Sequence, residues 1–322
     1  MTGKPSSTLC QPTARGRTRM LALATAVALA VSAGIGASES RADVGSVYFD
    51  AHHNAAAGET LFNGTFTGFN NVGLGRSVMR SLTIGSSNVA IGSQALSANR
   101  TGDNNVATGT AALPFNTTGE DNIATGTLAL LSNTTGDANI AAGTQALALN
   151  TIGNGNVATG DRALTSNTTG VQNVATGPRA LNSNTTGAHN VATGREALFA
   201  NTTGDANVAI GRNTLSDTTG SRNVALGPGA GQNLTTGSNN VAIANDGQAG
   251  ESGTIRIGSG AQTATFIAGI RGTALSGQPV VVNSSGQLGV VPASSASTAS
   301  LAATVERLQR QVRRLRERVK GG

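Results

Sequence analysis

The sequence predicts an all-β protein, a parallel β-solenoid (β-roll or β-helix) of 17-residue repeats with a short C-terminal α-helical coiled-coil segment. The first observation is that Asn followed by Val or Ile recurs at a constant spacing of 17 residues through the middle of the chain. The second is the composition: 44 of 322 residues are Gly, and the aromatic residues are seven Phe, one Tyr and no Trp. Large side chains therefore cannot build the core, whereas a coil that stacks small apolar residues in register does not need them.

Residues 1–42 have the order of a secretory signal peptide. Basic residues up to Arg19 precede an apolar run from Leu21 to about Ile35, and small residues flank Arg41 before Asp43. The run is shorter than the roughly 20 residues that span a bilayer. We therefore predict cleavage before Asp43 and a mature chain without a transmembrane anchor, either secreted (extracellular) or held at the cell surface of a bacterium.

The formal charge of +6 comes from the two ends of the chain. Residues 1–42 hold five basic residues and one acidic residue, and residues 301–322 hold seven basic and two acidic residues. The middle, residues 43–300, holds ten basic and thirteen acidic residues. The basic total therefore does not predict nucleic-acid binding.

Residues 43–70 are predicted to be an N-terminal cap. Five of the aromatic residues fall in this stretch, at Tyr48, Phe49, Phe62, Phe66 and Phe69. They fit either a hydrophobic head cap, which is the plainer interpretation, or an aromatic binding tip.

Residues 71–250 are predicted to be the solenoid. Each repeat has the approximate form N-V-A-T/I-G-x-x-A-L-x-x-N-T-T-G-x-x, in which N-V-A-T-G alternates like a strand and N-T-T-G is typical of a turn. We expect the stacked Asn side chains to form amide ladders. We also expect two columns to line the core, one of Val or Ile (Val89, Val106, Ile123, Ile140, Val157, Val174, Val191, Val208) and one of Leu (Leu96, Leu113, Leu130, Leu147, Leu164, Leu181, Leu198, Leu215).

An alanine column lies on the strand face opposite the Val column. Alanine recurs there in ten successive repeats although neighbouring positions vary, which indicates close approach of another wall of the same coil or of a neighbouring chain. Recent duplication of the repeat is the alternative. We predict that part of this strip lies in an oligomer interface, with Ala107, Ala124, Ala141, Ala158, Ala175 and Ala192 as its members.

Residues 251–292 leave the 17-residue period and are predicted to be a strand-rich terminal cap. Thr254–Ile257, Thr265–Ile267 and Val280–Val282 have the composition of strands between Gly-rich turns. Residues 293–300 contain only Ala, Ser and Thr and are predicted to be a flexible linker.

Residues 301–322 are predicted to be a basic heptad helix. Its apolar seam, spaced by four and three residues, consists of Leu301, Val305, Leu308, Val312, Leu315 and Val319. The seam favours a coiled coil, although Arg316 and Arg318 flank it with like charges. The competing prediction is contact with an anionic surface, such as phospholipid or a cell-wall polymer, through Arg307, Arg310, Arg313, Arg314, Arg316 and Arg318.

The Asn-Val-Ala-Ile-Gly runs at residues 88–92 and 207–211 resemble the S-V-A-I-G repeats of trimeric autotransporter adhesin heads. The longer unit, followed by stretches such as residues 265–270 and 282–289, is similar to bacterial secreted and phage tail-fibre-like repeat proteins. The adhesin heads are β-rolls in which three chains pack side by side. The resemblance therefore implies a fibre-like, trimeric body, but neither self-cleavage nor outer-membrane anchoring.

Together these features predict a secreted or cell-surface adhesin-like fibre protein, a homotrimer that displays a binding surface to a host or surface receptor, a polysaccharide or an anionic cell-envelope polymer. A phage-derived tail-fibre-like protein is the alternative. A polysaccharide-acting β-helix enzyme is a weaker one, because such enzymes need clustered carboxylates and aromatic residues along a groove. We predict no catalytic site, and neither cofactor nor metal, since no Cys or suitably spaced acidic residue accompanies the three His.

Overall fold

The computed structural model describes residues 47–58, 66–264, 266, 280–284, 286–290 and 295–320. The chain divides into two units, residues 1–262 and 263–322. The first unit contains, in chain order, β1 (Val47–Phe49), β2 (Ala55–Ala57), β3 (Val72–Leu74), β4 (Val89–Ile91), β5 (Val106–Thr108), β6 (Ile123–Thr125), β7 (Ile140–Ala142), β8 (Val157–Thr159), β9 (Val174–Thr176), β10 (Val191–Thr193), β11 (Val208–Ile210), β12 (Val224–Leu226), β13 (Val241–Ile243) and β14 (Ile255–Ile257). The second contains β15 (Val280–Val282), β16 (Leu288–Val290) and the helix α1 (Ser295–Lys320).

The first unit is a parallel β-solenoid, as the sequence predicts. Its 14 strands form one sheet in sequential order, and every neighbouring pair from β2 to β14 is parallel. Equivalent residues stand side by side, so Val157 pairs with Val174 one repeat later. At about 4.8 Å per step, the parallel ladder is roughly 58 Å long.

The ladder begins one turn earlier than the sequence analysis places it. Strand β2 is parallel to β3 with Ala55 opposite Val72, so the prediction that residues 43–70 form a cap is wrong for Ala55–Ala57. Residues 54–58, Asn-Ala-Ala-Ala-Gly, correspond to the N-V-A-T-G part of the repeat. Ala replaces Val there, so the Asn-Val/Ile signature is missing. Strand β1 pairs antiparallel with β2 and covers this edge of the sheet.

The last parallel strand, β14, closes the opposite end of the alanine column. Its central residue, Arg256, stands opposite Ala242, where the previous turns carry Ala. Arg256 forms a close ion pair with Glu251, with Nη2 and Oε2 2.8 Å apart. The hydrogen bond from this guanidinium, with the positive charge behind it, lowers the pKa of the Glu251 carboxyl below its ordinary value. The predicted strand at Thr254–Ile257 is thus a final turn of the solenoid, whereas Thr265 and Ile267 lie outside the described residues.

The Glu251 ion pair makes the C-terminal end of the solenoid sensitive to acid. Because the pKa of Glu251 is lowered in the folded state, its stabilisation is present above the pKa of an unfolded Glu and is lost as pH falls through the folded value. We expect Glu251→Gln to lower stability by up to about 1 kcal/mol at neutral pH and to make no difference in strong acid. Urea unfolding of both proteins at the two pH values measures this. An equal difference at both pH values would contradict the assigned role of the charge.

The core of the solenoid is lined by alanine and leucine. Both the Leu column and the alanine column are fully buried, as Leu164 and Ala158 illustrate with 0% exposure each. The predicted Val/Ile column is wrong as a core column, because its side chains point out of the coil and Ile123 and Ile140 are 40% and 38% exposed. Leucine already fills the interior, and only a methyl group fits opposite it on the strand.

Residues with positive φ recur at the same positions of each repeat, and they allow 17 residues to complete one turn of the coil. In the turn that begins at Asn156, Gly160 has φ +136°, Arg162 +53° and Leu164 +51°, and the same pattern recurs along the coil. A side chain at φ near +136° is strained, which explains the glycine that follows each strand from β2 to β12. The leucine accepts its left-handed conformation because it is fixed in the core.

The second unit contains an antiparallel hairpin and the helix. Strands β15 and β16 pair with Val280 opposite Val290. Helix α1 has 26 residues and begins at Ser295, so the prediction of a flexible linker is wrong over Ser295–Ser300. Alanine is the strongest helix former, and the helix that follows extends backward through this Ala- and Ser-containing segment.

Candidate functional surfaces

The outward side of the strands forms a long face without charge. It consists of the first and third residues of β4 to β13, which we call the outer strand face. Valine or isoleucine occupies the first position in every strand, and Thr, Ile, Leu or Ala occupies the third. These side chains are half-buried or exposed, with Ile210 at 43% and Leu226 at 47% exposure. The face therefore presents two straight rows of mostly β-branched side chains over about 43 Å.

The alanine strip does not lie at the surface. Ala107, Ala124, Ala141, Ala158, Ala175 and Ala192 each have 0% exposure within a single chain, so they cannot contact a neighbouring chain. The prediction that this strip forms an oligomer interface is therefore wrong. Its other interpretation is confirmed, since the strip packs against the leucine wall of the same coil in one continuous core. The uncharged surface that repeats along the solenoid is the outer strand face, not the alanine strip.

Buried asparagines directly before the strands β2 to β13 form the predicted amide ladder. Asn156 illustrates the geometry: its Nδ2 donates to Asn139 Oδ1 at 3.1 Å and to Gly170 O at 2.9 Å. Its Oδ1 accepts from the backbone N and the Nδ2 of Asn173, both at 3.1 Å. The N-terminal member, Asn54, donates instead to the carboxylate of Asp50, at 2.9 Å to Oδ2. Each amide thus ties one turn to both of its neighbours and leaves no polar atom of its own without a partner.

A second ladder runs through the Asn of the N-T-T-G turns, which the sequence analysis treats only as turn residues. It joins Asn99 to Asn201 in steps of 17 residues, with Nδ2 to Oδ1 distances between 2.7 and 2.9 Å. The next turn is one residue shorter and places Thr218 at the ladder position, fully buried. Asn201 Oδ1 is consequently buried without a hydrogen-bond partner.

Replacing Thr218 with Asn should extend the second ladder by one member. The backbone N–H of Asn201 donates to Leu198 O, and the backbone N–H of Thr218 donates to Leu215 O in the same way. The backbone at position 218 is therefore placed like that of a ladder asparagine. A donor to Asn201 Oδ1 should stabilise the protein by about 1 kcal/mol and raise Tm by roughly 2–4 °C. Thermal unfolding followed by circular dichroism measures the shift, with the exposed neighbour variant Thr219→Asn as the control. An unchanged or lower Tm for Thr218→Asn would contradict the expected bond.

Acidic residues in the turns link one turn of the coil to the next. Asp103 Oδ1 accepts a hydrogen bond from Ser86 N at 2.7 Å, and Asp205 Oδ1 accepts one from Ala188 N at 2.7 Å. These carboxylates therefore bind backbone groups of the preceding turn. Within the described part of the chain, no three His, Cys, Asp or Glu side chains are grouped so that they could hold a metal ion.

The N-terminal aromatic residues divide between the core and the surface. Tyr48 and Phe66 are partly buried against the core, whereas Phe49 and Phe69 are 71% and 53% exposed. Burial, with a smaller contribution from the charge of Asp50, raises the pKa of the Tyr48 hydroxyl. Phe62 lies outside the described residues.

The apolar side chains of the predicted seam are exposed on helix α1. Val305, Leu308, Val312 and Leu315 are between 47% and 60% exposed, and the side chains of Leu301 and Val319 lie outside the description. Arg310 pairs with Glu306 at 3.5 Å, and among the described helix side chains no other ion pair forms. No helix in the described ranges has the length and apolarity to cross a membrane. The six predicted arginines thus lie on the same helix as an exposed apolar stripe.

The chain matches no family model, no curated protein and no solved structure in the three comparisons.

Proposed function

We propose that this chain is a structural protein of the bacterial exterior, secreted or held at the cell surface. In this proposal the solenoid is a rigid rod that displays an adhesive or receptor-binding surface, and three identical chains assemble side by side. The proposal rests mainly on the outer strand face, an uncharged surface that is repeated in register over ten strands of a single rigid element.

The rigidity of the rod follows from its interior. Each turn is joined to the next by strand hydrogen bonds, by the strand-start amide ladder and, over residues 99–201, by the second ladder. Bending the coil would lengthen hydrogen bonds on one side, where the buried amides have no water to replace their partners. Such a repeat can be lengthened turn by turn without altering its cross-section, which suits a spacer or display function.

The outer strand face supports assembly of identical copies. Apolar side chains exposed in a continuous stretch are characteristic of interaction surfaces. A second copy offers the same rows with the same spacing, and the absence of charge means that no like charges oppose contact. The resemblance to adhesin heads, in which three chains pack side by side, supports the trimer.

The solution mass, measured by light scattering on residues 43–322 and 43–292, tests the assembly. A trimer in both proteins places the interface in the solenoid. Loss of the trimer in the shorter protein would assign assembly to helix α1 instead. A monomer in both would overturn the trimeric fibre.

A pair of charge substitutions on the outer strand face provides the sharper test. We expect Val157→Glu with Val174→Glu to convert the trimer to a monomer, because three copies would bring six carboxylates together in the interface. Thr169→Glu with Thr186→Glu adds the same charge at exposed turn positions and should leave the trimer intact. Circular dichroism confirms that all variants keep the fold. An unchanged mass for the valine variant would exclude this face as the interface.

A further inference from the structure

We propose that helix α1 is an interfacial membrane helix that lies on the surface of an anionic phospholipid bilayer. The inference does not depend on the oligomeric state of the solenoid. It rests on the arrangement of exposed apolar and cationic side chains within the 26 residues of this helix.

The apolar stripe requires a cover that the described chain does not supply. Val305, Leu308, Val312 and Leu315 follow one another at spacings of three and four residues, which places them on one side of the helix. The four side chains are 47% to 60% exposed. A row of this kind can be buried in the acyl boundary of a bilayer or against a partner helix.

The charges favour the bilayer over a second copy of the helix. Arg316 and Arg318 occupy the two positions that flank the stripe, so they would face the arginines of a partner helix across the seam. The acidic residues Glu306 and Glu317 lie on the side away from the stripe and cannot neutralise them there. Lipid phosphate groups supply the missing negative charge at the rim of the stripe.

Arginine side chains are especially suited to bind the phosphate groups of lipids. The described part of the helix has six arginines, of which Arg310 alone is paired with an acid, at 3.5 Å. The guanidinium group binds phosphate oxygens through two parallel hydrogen bonds. The aliphatic part of each arginine can lie along the apolar boundary while its charged end reaches the headgroups. Arg316 and Arg318 flank the stripe and would do so, whereas Arg307, Arg313 and Arg314 lie farther round the helix and add positive charge near the headgroups.

Vesicle cosedimentation of residues 43–322 tests the proposal, because this chain contains every described strand and the helix. The probes are vesicles of phosphatidylcholine alone and vesicles that also contain phosphatidylglycerol. We expect binding to the anionic vesicles only, and weaker binding as salt increases. Each basic residue near an anionic leaflet contributes about fivefold in partitioning, so Arg313→Gln, Arg314→Gln and Arg318→Gln together should weaken binding about 100-fold.

Matched variants distinguish the bilayer from other partners. Arg76→Gln, Arg100→Gln and Arg222→Gln remove the same charge from exposed solenoid positions and should leave vesicle binding unchanged. Leu308→Ser with Leu315→Ser keeps every arginine and should weaken binding at least about tenfold, since two apolar side chains no longer enter the bilayer.

Three results would overturn the assignment. Equal binding to vesicles without phosphatidylglycerol would remove the role of the arginines. Equal losses in the helix and solenoid arginine variants would show a general charge effect. Full binding by the leucine variant would show attraction to any anionic polymer rather than insertion into a bilayer.

Discussion

Asn156→Ala is expected to destabilise the solenoid by about 4 kcal/mol. Alanine removes four hydrogen bonds at a site with 0% exposure: two that the amide donates, to Asn139 and Gly170, and two that it accepts from Asn173. The backbone N–H and one Nδ2 hydrogen of Asn173 then have no acceptor, and Gly170 O keeps only the hydrogen bond from Asn167 Nδ2. Each such buried group costs about 1–3 kcal/mol, and water has no access to replace the bonds.

Urea unfolding followed by circular dichroism measures this loss, with Asn154→Ala as the matched control. Asn154 lies two residues away, is exposed, and accepts a single hydrogen bond from Asp137 N at 2.7 Å. Its replacement should cost less than about 1 kcal/mol. Similar losses in the two variants would show that the ladder contributes no more than a surface hydrogen bond.

Gly160→Ala is expected to destabilise the solenoid by a similar amount, about 4 kcal/mol, for a steric reason. A Cβ at this position would lie 2.7 Å from both the carbonyl carbon and the oxygen of Gly177 in the next turn. The obstacle is backbone, so no side-chain rotation relieves it. The residue also has φ +136°, where an alanine is strained even in free space.

Gly155→Ala separates the steric effect from the general cost of replacing a glycine. Gly155 has φ +66°, and its Cβ would meet only Gln172 Cγ, at 3.5 Å. Alanine already occupies the equivalent positions 138 and 206 with φ values of +54° and +56°. This variant should lose about 1 kcal/mol. Equal midpoints of unfolding for the two alanine variants would contradict the close approach of successive turns at Gly160.

The period of the repeat is sufficient to predict the coil, its parallel register and the ladder of strand-start asparagines. The period cannot tell which side of each strand faces inward, because Val-Ala-Thr alternates equally well in either orientation. Hydropathy favours burial of Val157, yet Ala158 is the strand residue that is buried with Leu164 in the core, at 0% exposure each. The orientation is therefore decided by the width of the interior, which depends on contacts between residues distant in the repeat.

The ends of the solenoid were harder to predict for a related reason. Asn54 precedes a strand of the parallel ladder, but that strand is Ala-Ala-Ala and lacks the valine or isoleucine that identifies the later ones. The prediction of an interface on the alanine strip is wrong because a residue repeated in register indicates tight packing but does not identify what it packs against. In helix α1 the seam and the arginines are evident from their spacing in the sequence.

The amide ladders also give the solenoid an electrical direction. In every hydrogen bond between ladder members, the N–H of the later turn points toward the earlier one, as from Asn71 to Asn54. Strand dipoles largely alternate and cancel, but these side-chain dipoles are aligned and add along the axis. The N-terminal end of the ladder is consequently its positive pole, and the Asp50 carboxylate that accepts from Asn54 there neutralises it. At the opposite pole Asn240 Oδ1 accepts from the Thr254 N–H, so both ends of this internal dipole are closed by groups of complementary sign.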